Sequence, residues 1–89
     1  MDKPYNWIEI TLREGTKFIG EIVSITPDKL TMLALVTSEK QVYELLNIID
    51  SNYTYCNVRR YSNTKMDTKV IFHSAKLIQD NEWEILITI

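Results

Sequence analysis

The sequence is sparing with the residues that anchor most small-protein chemistry. Its 89 residues include one cysteine, one histidine, two prolines and two glycines. A single cysteine, Cys56, forbids an internal disulfide, so a reducing, intracellular setting in cytoplasm or nucleus is expected. One histidine, His73, leaves no Cys/His cluster with metal-ligand spacing and no spacing motif for a Ser- or Cys-based triad. With only Gly15 and Gly20 there is no Gly-rich phosphate loop. No apolar run approaches the length of a membrane span. No apolar stretch follows Met1-Asp2-Lys3-Pro4, so no secretory leader is expected. The formal net charge of −2 gives no global positive field toward nucleic acid or membrane. Neither catalysis nor a cofactor or metal is expected.

What is present is a run of strand signals. Ile8, Ile10 and Leu12 alternate with Glu9, Thr11 and Arg13, the period of a half-buried strand. Glu14-Gly15-Thr16 makes a polar turn, with Gly supplying a positive φ. Lys17 to Ile25 is a second strand with Gly20 inside it, and a Gly there marks a bend, a bulge or a close backbone approach. The apolar pattern supports a bend: Phe18 and Ile22 share the Gly20 face, whereas Ile25 falls one step out of phase. Thr26-Pro27-Asp28-Lys29 is the next turn. Leu30 to Val36 is apolar almost throughout, the pattern of a strand buried on both faces. Closely spaced strands with a Gly-kinked second strand predict a small sheet curled into a barrel, an all-β fold of one domain spanning residues 1–89.

The middle of the chain changes character. Ser38 with Gln41 can form a capping box, and Val42, Leu45, Leu46 and Ile49 follow at helical spacing. This predicts a helix from about Glu39 to Ile49, although Val42, Tyr43, Ile48 and Ile49 also suit strands. Tyr53 to Tyr61 alternates, with Tyr53, Tyr55, Asn57, Arg59 and Tyr61 on one face. Ser62 to Thr68 reads as a loop. Lys69 to Ile78 reads as a strand interrupted at His73-Ser74-Ala75-Lys76, and Trp83 to Ile89 as a last strand. Tyr5 and Trp7 are placed over an open barrel end. Arg59 and Arg60 with Tyr53, Tyr55 and Tyr61 form the one basic and aromatic cluster. Such a cluster suits a nucleic-acid strand or, better for an acidic chain, a protein partner.

Glu14-Gly15, Phe18, Gly20, Ile22, Ile25 and the apolar Leu30 to Leu35 together resemble the first signature of Sm and Sm-like (LSm) proteins. Val70-Ile71-Phe72, His73-Ser74-Ala75-Lys76 and Leu77-Ile78 resemble the second in outline. There His73 stands for the family's Arg, Ser74 for its Gly and Lys76 for its Asn or Asp. The resemblance implies a strongly bent Sm-like barrel of five to six strands, with residues 37–68 a variable insertion carrying a helix between strands 3 and 4. It implies edge-to-edge pairing with another Sm-fold chain, through unpaired edges near Lys69 to Phe72 and Leu77 to Ile87. The partner-binding residues expected on that basis are Val70, Ile71, Phe72, Leu77, Ile78, Trp83, Ile85 and Ile87. The family's base-reading amide would fall near Leu30 or Thr31, which cannot supply it. The chain therefore looks most like the small Gemin subunits of the SMN complex, non-catalytic subunits that help assemble spliceosomal particles. The alternative is a ring-forming Sm-like RNA binder using Lys29, His73, Lys76, Arg59 and Arg60.

Overall fold

The computed structural model describes residues 6–60 and 66–89. Tyr5 and Tyr61 lie outside them. Six strands and one helix follow in order: β1 (Trp7–Leu12), β2 (Lys17–Ile25), β3 (Leu30–Leu35), α1 (Glu39–Ser51), β4 (Tyr53–Arg60), β5 (Met66–Gln79) and β6 (Glu82–Thr88). The strands close into a barrel in the order β1-β2-β3-β6-β5-β4, every neighbouring pair antiparallel. The expected all-β barrel with a helix between strands 3 and 4 is what forms. Within the segment 37–68, α1 is added to the wall, whereas β4 is part of it, laddered to β1 and β5.

Alternation decides the interior. Ile8, Ile10, Leu12, Phe18, Met32, Val58, Val70, Phe72, Ile85 and Ile87 point inward and are buried. Burying a large apolar side chain stabilises by about 1.5–3 kcal/mol, so this set supplies the main favourable term. β3 differs from its expected double burial. Leu30, Met32 and Ala34 are buried, but Leu33 is half-exposed and Leu35 is 63% exposed. β3 buries one face and lays an apolar stripe on the other.

Gly20 does not use glycine's freedom at positive φ; Gly15 does, at φ 102°. Gly20 pairs with Ile8 on one side and Ala34 on the other. A Cβ there would lie 1.8 Å from the Leu33 carbonyl oxygen. The glycine therefore permits close approach of β3 to β2, where the apolar pattern favours a bend. The phase slip at Ile25 has a separate cause, a register shift between Ile22 and Ser24 that marks a bulge.

α1 closes one end of the barrel. The Ser38 hydroxyl accepts from the Gln41 backbone N–H at 3.1 Å, and the Gln41 side chain accepts from the Ser38 N–H at 3.1 Å. The strand alternative for this segment falls to that reciprocal cap. Leu45 and Ile48 enter the core and Val42 and Ile49 pack against it, so the expected stripe holds except at Leu46, which is exposed while Ile48 is buried. Asn52 takes a positive φ of 74° and stops the helix, as a left-handed residue past a helix end does.

β5 corrects the sequence reading twice. Met66, Asp67 and Thr68, expected in a loop, pair with Val58, Asn57 and Cys56. The stretch around His73 does not interrupt the strand. It carries a register shift between Phe72 and Ser74, and a second lies between Leu77 and Gln79. The strand is long because it serves two neighbours. Met66 to Ile71 pairs with β4, and Ile71 to Gln79 pairs with β6.

Candidate functional site

Closure settles where strand edges are. Of the expected open edges at Lys69 to Phe72 and Leu77 to Ile87, Ile71 and β6 are laddered on both sides, whereas Lys69 and Val70 ladder only to β4 and Leu77 only to β6. Ile71 is laddered to both Tyr53 and Thr88, and the Phe72 N–H donates to the Asn52 carbonyl at 2.8 Å. β6 is laddered to β3 and β5 along its length. Of the eight expected partner residues, Val70, Phe72, Ile85 and Ile87 are fully buried in the barrel's own core. Trp83 is half-buried and packs on that core. Ile71 faces outward and is half-buried. Only Leu77 and Ile78, at the tip of β5, are exposed. An apolar strand run looks the same whether it lines a core or a seam, which is why four of the eight turn out to be core residues.

The expected RNA-contact residues do not converge. Lys29 sits in a tight turn, its N–H donating to the Thr26 hydroxyl at 3.0 Å. His73 occupies the bulged position of β5, and its Nε2 lies 2.7 Å from the Thr88 hydroxyl. That hydroxyl donates to the Asp28 carbonyl at 3.0 Å. A hydroxyl has one hydrogen, so His73 Nε2 must carry its own and donate to Thr88. His73 and the Lys29 turn are thus tied together. Lys76 lies farther along β5, in register with Glu84. Arg59 and Arg60 pair with Glu9 and Ile8 at the far end of β4, beyond the Val58–Met66 pair, whereas His73 follows the Tyr53–Ile71 pair at its near end.

A second group of residues does converge, on the outer face of β4 and its neighbours. Tyr53 and Tyr55 are both half out in solvent, with ring centroids 6.5 Å apart in edge-to-face contact. Lys69 Nζ stands 4.5 Å from the Tyr53 ring centre. The Arg13 guanidinium is 6.0 Å from that of Tyr55. The Arg59 guanidinium is 5.6 Å from that of buried Trp7. Each such contact is worth about 0.5–1 kcal/mol at an exposed site. The sequence flagged Tyr53, Tyr55 and Arg59 but missed Arg13 and Lys69. Arg13 continues the outward parity of Glu9 and Thr11, so it was findable. Lys69 joins only through its register with Tyr55.

The opposite outer face carries the apolar stripe. Ile19 pairs with Leu35 across β2 and β3, and Glu21 with Leu33. On the other flank Leu35 pairs with Glu82 and Leu33 with Glu84. The stripe is therefore rimmed by carboxylates on both sides. Where α1 meets the barrel, Thr16 donates to Glu44 at 3.1 Å. Glu14 and Glu44 also share a hydrogen bond there. That bond lowers Glu14 from the ordinary carboxyl value of 4.5 and raises Glu44. Burial, reinforced by Asp67, pushes the Cys56 thiol up to about 11. Among the described residues no three His, Cys, Asp or Glu side chains are placed to hold a metal ion. No described helix is long and apolar enough to cross a membrane. Comparison with protein-family models, with curated proteins and with solved structures finds no match.

Proposed function

We propose that this protein is a non-catalytic interaction subunit of the Sm-like type, joining another small-barrel chain in the assembly of RNA–protein particles. The observation that supports it is the contiguous apolar stripe of Ile19, Leu33 and Leu35 on the outside of an already complete barrel. Scattered surface hydrophobics need no explanation, but a joined patch with a polar rim marks an interaction site. The joint uses the wall and not the edge-to-edge pairing that the Sm resemblance implies: Ile71 and β6 are laddered on both sides, and at the expected edges only short one-sided stretches of β5 remain. The partner is held by side chains on the wall. Native mass measurement of the complex isolated from its source tests this. A stable assembly containing a second barrel chain, lost on Leu35→Lys, is expected. A chain that is recovered only as a free monomer, and binds no protein, overturns the reading.

The RNA-binding alternative draws on one observation, the linkage of His73 to the Lys29 turn through Thr88. The expected affinity for oligouridine is no tighter than the nonspecific range known for DNA, about 10⁻⁴ to 10⁻⁶ M at physiological salt. Submicromolar, uridine-selective binding that disappears in His73→Ala would put the alternative first.

A further inference from the structure

The order of strands around the barrel sets two chemically opposite surfaces back to back. From β3, three steps through β6 and β5 reach β4, and three steps through β2 and β1 reach β4 as well. β3 and β4 are therefore diametrically opposed. The β3 face presents Leu33, Leu35 and Ile19 between the carboxylates of Glu21, Glu82 and Glu84. The β4 face presents Tyr53 and Tyr55 with the cations Arg13, Lys69 and Arg59. Two carboxylates lie near the β4 face: Glu9, paired with Lys17 at 3.7 Å, and Asp67, which accepts from the neutral Asn57 amide at 3.1 Å and keeps its charge, so the three cations outnumber it. Of the cations near the β3 face, Lys76 stands in register with Glu84 and Lys17, beside Ile19, is paired with Glu9, leaving Glu21 and Glu82 to set the sign. The chain's small net charge thus conceals a separation of charge across the barrel.

We infer that the β3 face of one copy docks on the β4 face of a second copy. The inference rests on the interaction-subunit reading and names the partner as this same chain. Complementarity selects it. Exposed apolar side chains rimmed by acids meet exposed aromatic rings carrying cations, and tyrosine and arginine are the residues enriched at such contacts. The barrel measures 29 × 27 × 25 Å, so one wall offers an area of the order of the roughly 800 Å² per partner of a standard interface. The contact is heterologous, using two different surfaces of the chain, so each docked copy leaves a free face at either end. Because those faces oppose each other, copies add in a row.

The test is sedimentation of the full chain across concentration and salt, with two single-face variants. Wild type grows in steps of one 10.5 kDa chain as concentration rises. Its association weakens by about tenfold between 0.1 and 1 M salt, as the Debye length falls from about 10 to about 3 Å. Leu35→Lys spoils the β3 face and keeps the β4 face; Lys69→Glu does the reverse. Both positions are exposed, and circular dichroism checks that each variant is folded. Each alone associates at least tenfold more weakly than wild type. Mixed in equal amounts, they form a dimer of wild-type strength that grows no further. A wild-type chain monomeric up to about 1 mM, a variant that self-associates like wild type, or a mixture that forms no dimer would each overturn the inference. If the monomeric chain nevertheless binds a different barrel protein, the interaction-subunit reading survives and self-docking alone is lost.

Discussion

Adding one methyl group at Gly20 tests how tightly β3 lies on β2. The new Cβ would sit 1.8 Å from the Leu33 carbonyl oxygen, 2.7 Å from its carbon and 2.8 Å from the Ala34 Cα. All three are backbone atoms, so no rotamer change relieves the clash. Reaching an ordinary contact of 3.4 Å requires the two strands to part by about 1.6 Å. Overpacking of this kind costs about 1–3 kcal/mol in repacked cores. Parting the strands also weakens ladder bonds worth about 1 kcal/mol each. We expect Gly20→Ala to cost about 3–5 kcal/mol, against a total stability of about 4–13 kcal/mol for a domain this size. With a slope near 1 kcal/mol/M, the urea midpoint falls by about 3 M or more. Gly20→Val leaves no folded protein. Gly15→Ala is the control: nothing lies within 4 Å of its Cβ, and only its φ of 102° is strained, which costs about 1–2 kcal/mol. A Gly20→Ala melt within about 0.5 kcal/mol of wild type would show that the close approach is not there.

Other expectations follow from individual groups. Folded Cys56, with its thiol pushed to about 11, should react with a disulfide reagent at pH 8 about a hundredfold more slowly than the urea-unfolded chain; equal rates would refute its burial. The Glu14–Glu44 pair makes stability pH-dependent in two directions. The contribution of raised Glu44 is full below the ordinary carboxyl value of 4.5 and fades as pH rises through its folded value. That of lowered Glu14 is full above 4.5 and fades as pH falls through its own. Glu44→Gln donates to Glu14 at every pH, so the variant's Tm should gain on wild type as pH rises from 4.5 toward neutrality. A Tm difference that does not change over that range would remove the shared proton.

Local chemistry made some elements readable and left others hidden. Ser38 and Gln41 announce α1 because a capping box is a contact within four residues. The out-of-phase Ile25 announced an irregularity because alternation is a local property, and the bulge beside it is what shifts the phase. Met66, Asp67 and Thr68 gave no strand signal. They are strand only because Val58, Asn57 and Cys56 stand opposite, so tertiary pairing overrode weak propensity. Leu30 to Leu35 misled for a different reason. Leucines that pack inward and leucines laid out for a partner are the same letters, and only closure of the barrel separates Met32 from Leu35. The β4 site was half legible. Its tyrosines and Arg59 share one strand and one parity, but Lys69 arrives from a neighbour whose register no local pattern specifies.

That closure also decides what kind of binding the chain can support. A main chain with ladders on both sides has few groups left to offer a visiting strand, which is how barrels remove the hazard of free edges. β5 outruns its neighbours furthest, each half laddered on one side, and the ends of β2 and β4 do so over shorter stretches. Even there, register shifts at Phe72–Ser74 and Leu77–Gln79 bracket the half beyond Ile71, and bulges break the regular spacing that an added strand needs. Recognition is therefore moved from backbone to side chains. Residues that build the barrel, such as Val70, Phe72, Ile85 and Ile87, point in, and residues available to a partner, such as Leu35, Tyr53, Tyr55 and Lys69, point out. A protein arranged this way can lose binding without losing its fold. Had partners added to the strand edges instead, substitutions that abolish binding would also unfold the chain. The fold checks on Leu35→Lys and Lys69→Glu separate these two designs.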